Sequence, residues 1–219
     1  MSFNVDRTIL TDVLVAHSKY RGVGPPFRRS GRTWLQGQLE VVDDEGARWG
    51  GFLVTILFPL DYPDAPPALF EDQKRIKQEA DWHVNNDGSL CLGPEVSELR
   101  KYMGRAHLLD WLDRSAMPFL ANHLYKERTG RYLNGEYPHG VQGIWEYYLH
   151  EWKCSPAEVI RRLEYLSGAR KPARQDPCPC GSGIPWSNNH GQGGVWHGVM
   201  KKAYGQDLDR LKRVSSECS

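Results

Sequence analysis

Between residues 5 and 20 the apolar positions Val5, Ile9, Leu10, Val13 and Leu14, continued by His17, recur three and four residues apart. That spacing lines one face of a helix and predicts an amphipathic N-terminal helix. The stretch "RGVGPPFRRSGR" breaks it. In "TWLQGQLEVV" the period changes to two: Trp34, Gln36, Gln38 and Glu40 alternate with Leu35, Leu39 and Val41, with Gly37 interrupting. This is the pattern of a half-buried strand. After the polar turn "DDEG", the run "GGFLVTILF" is apolar almost throughout, as in a strand buried on both faces.

"PLDYPDAPPALF" sets four prolines within nine residues and ends in a short strand. Proline fixes its own φ and holds its predecessor extended, so this loop is rigid. "EDQKRIKQEA" reads as a short polar helix and "DWHVNNDGSLCLG" as an irregular surface loop. Residues 105 to 129 carry Leu108, Leu109, Leu112, Phe119, Leu120 and Leu124, a long helix that Pro118 should kink or restart. "GIWEYYLHEW" and "SPAEVIRRLEYL" predict two further helices, the second opened by Ser155 with Pro156 at its first position.

Beyond Leu166 the composition turns polar and basic. The expected organisation is a main domain over 1–166, a linker over 167–176 and a small module over 177–219. The module holds the glycine-rich "CPCGSGIPWSNNHG" and a closing amphipathic helix, "VMKKAYGQDLDRLKRV". A helix, then strands, then helices is the order of an α+β fold.

A formal charge of +1 gives no support for a strongly basic nucleic-acid binder. Neither an apolar signal-peptide core nor a run of about 18 apolar residues is present, so a soluble protein is expected. Five scattered cysteines, an odd number in a chain of this length, fit the reducing cytoplasm. A cysteine there is buried filler, metal ligand or nucleophile.

Cys91 follows the turn signal Asn86-Asp87-Gly88, with Leu90 and Leu92 on either side and His83 the nearest histidine. On position alone it is a small buried hydrophobe. However, "FPLDYPDAPP" followed by "HVNNDGSLCL" resembles the ubiquitin-conjugating enzyme family. Phe58, Tyr62, Pro63, Pro66 and Pro67 match its proline loop. Residues Asp87 to Leu92 match its Gly-x-Ile/Leu-Cys-Leu active-site run, and His83 and Asn85 match the outer positions of its His-Pro-Asn element. The sequence departs from the pattern at Val84, in the shortened interval from His83 to Cys91, and in lacking a Trp-Ser-Pro element. The segment "ERTGRYLNGEYPHGVQGIWEYYLHEW" is similar to stand-alone bacterial relatives from antiphage defence operons.

This resemblance implies a fold of N-terminal helix, antiparallel meander sheet and C-terminal helices. It also implies that Cys91 carries a protein C-terminus as a thioester and passes it to a lysine amine. A base-poor setting suits that chemistry, since an ordinary thiol is already a few per cent thiolate at neutral pH and a strong base would activate water. The oxyanion formed when lysine attacks needs an amide donor. Asn85 is the candidate, with Asn86 beside it, and simple turn chemistry is the competing role for both. His83 reads as an anchor of the loop. Glu95, Asp87, Asp110, His107 or His139 could assist lysine deprotonation, with His139 first among them. No phosphate-binding glycine loop is present, so a separate ATP-dependent activating enzyme is implied. The donor would be a ubiquitin-like protein or another protein C-terminus. The alternative is a non-catalytic binding or adaptor protein of the same fold, against which the presence of Cys91 counts. A cysteine peptidase would need a Cys-His-Asn/Asp set that is not recognisable here.

"CPCGSGIPWSNNHG" in turn resembles the SEC-C-like zinc motif at the C-terminus of the bacterial translocation ATPase. Cys178, Cys180 and His190 match three ligand positions, and Asn189 stands where a cysteine belongs. Structural zinc takes four ligands, so the fourth would come from Cys218, Cys154 or His197. A knuckle without metal is the other reading. A tail this short buries little core, which favours a metal staple and a docking role.

Overall fold

The computed structural model describes residues 5–102, 105–133, 138, 140–169, 173–178, 183–188 and 195–217. Its backbone separates into two compact units, Met1–Gly93 with Lys101–Glu136, and Pro94–Arg100 with Tyr137–Ser219.

In the first unit, helix α1 (Arg7–Lys19) starts where the Asp6 side chain accepts the Thr8 N–H at 2.7 Å and ends with His17 and Lys19 in its last turn. Both ends complement the helix dipole. Ile9, Val13 and Ala16 are buried, whereas Leu14 on the same predicted stripe is 75% exposed. Four antiparallel strands follow in sequence order, β1 (Val23–Arg29), β2 (Arg32–Val42), β3 (Arg48–Phe58) and β4 (Ala68–Glu71).

Strand β1 occupies the stretch that the sequence pattern presents as a break. It forms because its prolines, Pro25 and Pro26, lie on the outermost strand of this sheet, where a missing N–H is tolerated. Ser30 and Gly31, both at positive φ, make the two-residue turn into β2. Gly37 interrupts the alternation of β2 for a steric reason: a Cβ there would stand 2.7 Å from the Gly22 carbonyl oxygen.

The residues expected to form a polar helix, 71 to 80, instead make turns, with only a short 3₁₀ segment at Ala80–Trp82. The buried Glu71 carboxylate explains this, because it accepts the N–H groups of Gln73 (2.9 Å), Arg75 (2.6 Å) and Ile76 (3.3 Å). These bonds offer the backbone an alternative to helix. Arg75 then makes a two-pronged pair with Glu127, at 2.8 and 2.6 Å.

The long helix appears as α3 (Leu108–Trp111), a π-helical turn (Leu112–Ala116) and α4 (Met117–Thr129). The expected interruption is thus a widened turn immediately before Pro118, which lies in the first turn of α4. Leu108, Trp111, Leu112, Ala116, Leu120 and Leu124 pack with Leu35, Leu39, Phe52, Val54, Ile56, Phe58 and Leu69 from one face of the sheet. Each such side chain fully withdrawn from water contributes about 1.5–3 kcal/mol before entropy is counted.

The second unit contains α2 (Glu95–Lys101, its last residue in the first unit), α5 (Gly140–Trp152), α6 (Pro156–Leu166) and α7 (Val195–Glu217). Ser155 caps α6 by accepting the Glu158 N–H at 3.3 Å. Helices α5 and α6, grouped in the sequence reading with the N-terminal fold, bury Tyr147, Tyr148, Val159, Leu163 and Leu166 against Met200, Ala203, Tyr204, Leu208 and Leu211 of α7. The Tyr148 hydroxyl donates to the buried Asp207 carboxylate at 2.8 Å. Helix α2 was not foreseen; Val96 and Leu99 bury into this same cluster.

No helix among the described residues is long and apolar enough to cross a membrane. The protein is α+β, with a four-stranded antiparallel sheet and helices.

Candidate active site

Residues 83 to 91, expected to be irregular, form a miniature antiparallel ladder. Val84 pairs with Leu90, the Asn85 N–H donates to the Ser89 carbonyl at 2.8 Å, and the Cys91 N–H donates to the His83 carbonyl at 2.7 Å. The turn between them closes through Gly88 N–H to the Asn85 carbonyl at 2.9 Å, with Gly88 at φ +84°. A positive φ there is what glycine supplies at no steric cost. The ladder is also tied to β4, since Phe70 bridges Ser89 and the Leu90 N–H donates to the Leu69 carbonyl at 2.7 Å.

Side chains alternate across a ladder, and this fixes the site. Val84 and Leu90 are buried in the core. Asn85, Ser89 and Cys91, each next to one of these, therefore project to the opposite face. Cys91 lies across from His83 and diagonal to Asn85, a relation that sets Cα atoms roughly 7–8 Å apart. The Cys91 side chain is half-buried, with Sγ 3.9 Å from the Gly93 carbonyl oxygen. No disulfide joins Cys91, Cys154 or Cys178.

Three side chains at the turn form a chain of hydrogen bonds. Ser89 Oγ donates to Asp87 Oδ1 at 2.6 Å, the Ser89 N–H donates to the same oxygen at 3.0 Å, and Asn85 Nδ2 donates to Ser89 Oγ at 3.0 Å. The Ser89 hydroxyl and N–H hold the Asp87 carboxyl below its usual range. Asn86 sits exposed in the turn.

His83 occupies the left-handed region at φ +55°, an uncommon conformation for a residue other than glycine. Its ring lies 5.1 Å from that of Tyr132, whose hydroxyl is 3.2 Å from Nε2 of the fully buried His123. His123 is packed among Trp82, Phe119 and Tyr132. Burial, reinforced by the positive charges of His83 and Lys126, drives its pKa down to about 3. The Lys126 ammonium sits 4.6 Å from the centre of the Trp82 ring and 4.1 Å from that of Tyr132, and donates to the Asp81 carbonyl at 2.6 Å. An aromatic and cationic clamp from α4 and the residues after it thus grips the Trp82–His83 segment, and through it the backbone of Cys91. The sequence places Ser89 within the active-site run but assigns its side chain no role, and it does not announce this clamp. Trp82 lies far along the chain from Phe119, His123 and Tyr132, and the one available signal is the spacing of Phe119, His123 and Lys126 on a single helical face.

Two of the flanking candidates, His107 and Asp110, have partners of their own. His107 Nδ1 lies 2.9 Å from the Asp12 carboxylate, which also accepts the Tyr62 hydroxyl and, at 3.4 Å, the Leu108 N–H. That cluster pins α1 to the proline loop and to the start of α3. Asp110 pairs with Arg114 one turn along at 3.4 Å. Glu95 belongs to the second unit, and His139 lies outside the described residues.

Of the three matched zinc positions, Cys178 is described, while Cys180 and His190 lie outside the described residues. Cys178 is buried, and its N–H donates to the Ile184 carbonyl at 2.8 Å beside a Pro177–Pro185 bridge. Cys154 is half-buried in the second unit, with its thiol pKa raised by burial. Among the described residues no group of three or more His, Cys, Asp or Glu side chains converges as a metal site.

No protein-family profile matches the chain. A stretch of 44 residues, 20% of the chain, is 46% identical to protein translocase subunit SecA of Sulfurovum sp. (strain NBC37-1), and spans 5% of that protein's length. Among solved structures, the yeast vps23 UEV domain in complex with a vps27 PSDP peptide is similar over 52% of this chain and 80% of that one, at 15% identity and a TM-score of 0.37.

Proposed function

We propose that this chain is a ubiquitin-conjugating-like acyltransferase that holds a protein C-terminus as a thioester on Cys91 and transfers it to a lysine amine. One observation carries the reading: the backbone pairs Cys91 with His83 and Asn85 with Ser89 in one short ladder, so Cys91 and Asn85 occupy diagonal positions of it. Further support comes from the order of the elements, an N-terminal helix, a four-strand meander, a proline loop, the cysteine ladder and a long helix.

In loading, the Cys91 thiolate attacks the carbonyl of an incoming thioester, and the donor's sulfur leaves as a thiolate. In discharge, a neutral lysine amine attacks the Cys91 thioester carbonyl. The oxyanion collapses, the Cys91–acyl bond breaks, and an isopeptide bond remains, with the amine's proton passing to water. Asn85 supplies an N–H to that oxyanion. His83 acts through its backbone, holding the Cys91 N–H. The activating enzyme, the donor protein and the acceptor lysine are separate partners, and the resemblance of residues 127–152 to a segment of stand-alone bacterial relatives suggests antiphage defence in the cytoplasm as the setting. The C-terminal module, stapled by zinc on Cys178, Cys180 and His190 with a fourth ligand, docks a partner and takes no part in the chemistry.

A peptide thioester ending in Gly-Gly, with mercaptoethanesulfonate as leaving group, tests this without the natural partners. The full-length protein should form a reducible acyl adduct that mass spectrometry maps to Cys91, and free lysine should discharge it. Cys91→Ala should remove that adduct. Equal acylation of every cysteine, with no preference for Cys91, would overturn the proposal.

A further inference from the structure

We propose that Ser89 and Asp87 are positioning residues that fix which way the Asn85 amide faces, and so make it an oxyanion donor instead of an acceptor. The proposal rests on the reading of Cys91 as a thioester carrier and adds to it the residues that control discharge.

The argument is one of proton bookkeeping. An ionised carboxylate only accepts hydrogen bonds, so at 2.6 Å the Ser89 hydroxyl proton must point at Asp87 Oδ1. Asp87 is held ionised well into acid by that same hydroxyl and by the Ser89 N–H. With its proton committed, Ser89 Oγ has only lone pairs to offer Asn85. A primary amide can meet a lone pair only with its NH₂ end, and Nδ2 is found 3.0 Å away. The reversed amide would set oxygen against oxygen.

One Nδ2 proton is spent on Ser89. The second makes no hydrogen bond among the described residues and is the donor left on the face that carries Cys91. The backbone reinforces this alignment, because Asn85 and Ser89 are directly paired, with the Asn85 N–H on the Ser89 carbonyl at 2.8 Å. Without the carboxylate, the Ser89 hydroxyl would be free to turn toward Asn85 and donate to the oxygen of the reversed amide. A donor misplaced by about an ångström costs on the order of a hundredfold in rate.

The test has a kinetic arm and a spectroscopic arm. In single-turnover assays with the Gly-Gly peptide thioester and free lysine, Ser89→Ala should load Cys91 within about twofold of wild type. Its discharge should fall on the order of ten- to a hundredfold. Asp87→Ala should behave alike, and Ser89→Thr, which keeps the hydroxyl, should restore discharge. Because the effect passes through Asn85, Ser89→Ala introduced into Asn85→Ala should slow discharge no further.

In nitrogen–proton spectra of the uncharged protein, the bonded Nδ2 proton of Asn85 should lie downfield and lose that shift in Ser89→Ala. Wild-type discharge rates in Ser89→Ala, an unaltered Asn85 amide signal, or equal slowing with and without Asn85 would each overturn the proposal. Failure of the wild-type protein to load at Cys91 is a different result: it removes the thioester reading, and with it any catalytic role for the network.

Discussion

Acidification should weaken the packing behind the candidate site by a calculable amount, because His123 is buried in a form that cannot take up a proton. Its pKa falls from an ordinary value near 6.5 to about 3, first through burial and then through the positive charges of His83 and Lys126. The unfolded chain binds a proton at this residue below about pH 6.5 while the folded chain does not. Unfolding therefore becomes easier as the pH drops through that window, and the stability owed to neutral His123 is lost progressively between about pH 6.5 and 3. With each pH unit worth about 1.4 kcal/mol, the loss between pH 7 and 5 is about 2 kcal/mol. That is a large share of the total for a typical domain.

The comparison is with His123→Gln, which keeps an acceptor for the Tyr132 hydroxyl and does not titrate. Hydrogen exchange of the α4 amides, corrected for intrinsic rates, reports opening of the first unit in both proteins from pH 5 to 8. The variant should be less stable at pH 8 yet lose about 2 kcal/mol less on acidification, since every other titrating group is common to both. Parallel curves would falsify the assignment of a depressed, buried imidazole.

Two further outcomes concern the second unit and the C-terminal module. Burial raises the pKa of Asp207 above its ordinary value despite its bond from Tyr148 and its pairing with Arg210. Its ionised form is thus a cost at neutral pH, and what it contributes is greatest in acid and lost as pH rises through its folded pKa. Asp207→Asn keeps an acceptor for Tyr148 and should raise the urea midpoint of that unit at pH 8, by a margin that shrinks toward pH 4; a lower midpoint at both would reject this. Purified, tag-free protein should carry one zinc per chain by elemental analysis and lose it in Cys178→Ser, whereas acylation of Cys91 should survive chelation. Metal-free wild-type protein would end the zinc proposal.

The elements legible in the sequence were those whose periodicity is strong and self-contained. Alternation in β2, the apolar run of β3, the rigid proline loop and the Ser155–Pro156 helix start each depend on neighbours within a few residues. What escaped depends on partners far along the chain. Two prolines hid β1, which becomes a strand only because β2 lies beside it. Residues 71 to 80 carry helix-forming side chains, yet the Glu71 carboxylate captures their amides. Cys91, His83 and Asn85 stand out by motif, whereas Ser89 matches only as part of the same active-site run, because its side-chain partners come from the 85–89 pairing. The clamp of Trp82, His123, Lys126 and Tyr132 joins segments about 50 residues apart, and no local pattern announces it.

The outermost strand has a further consequence. A bare strand edge offers a row of unpaired amides on which another chain can build, the usual seed of sheet-to-sheet aggregation. Strand β1 carries three deterrents: Pro25 and Pro26 have no amide hydrogen to offer, the pairing with β2 slips between Val23 and Pro26, and Arg29 and Arg32 face each other across the strand pair. Like charges set directly opposite cost some stability, and a newcomer strand would have to approach them. The fold accepts that cost at an edge strand, where it discourages the addition of a further strand from another chain.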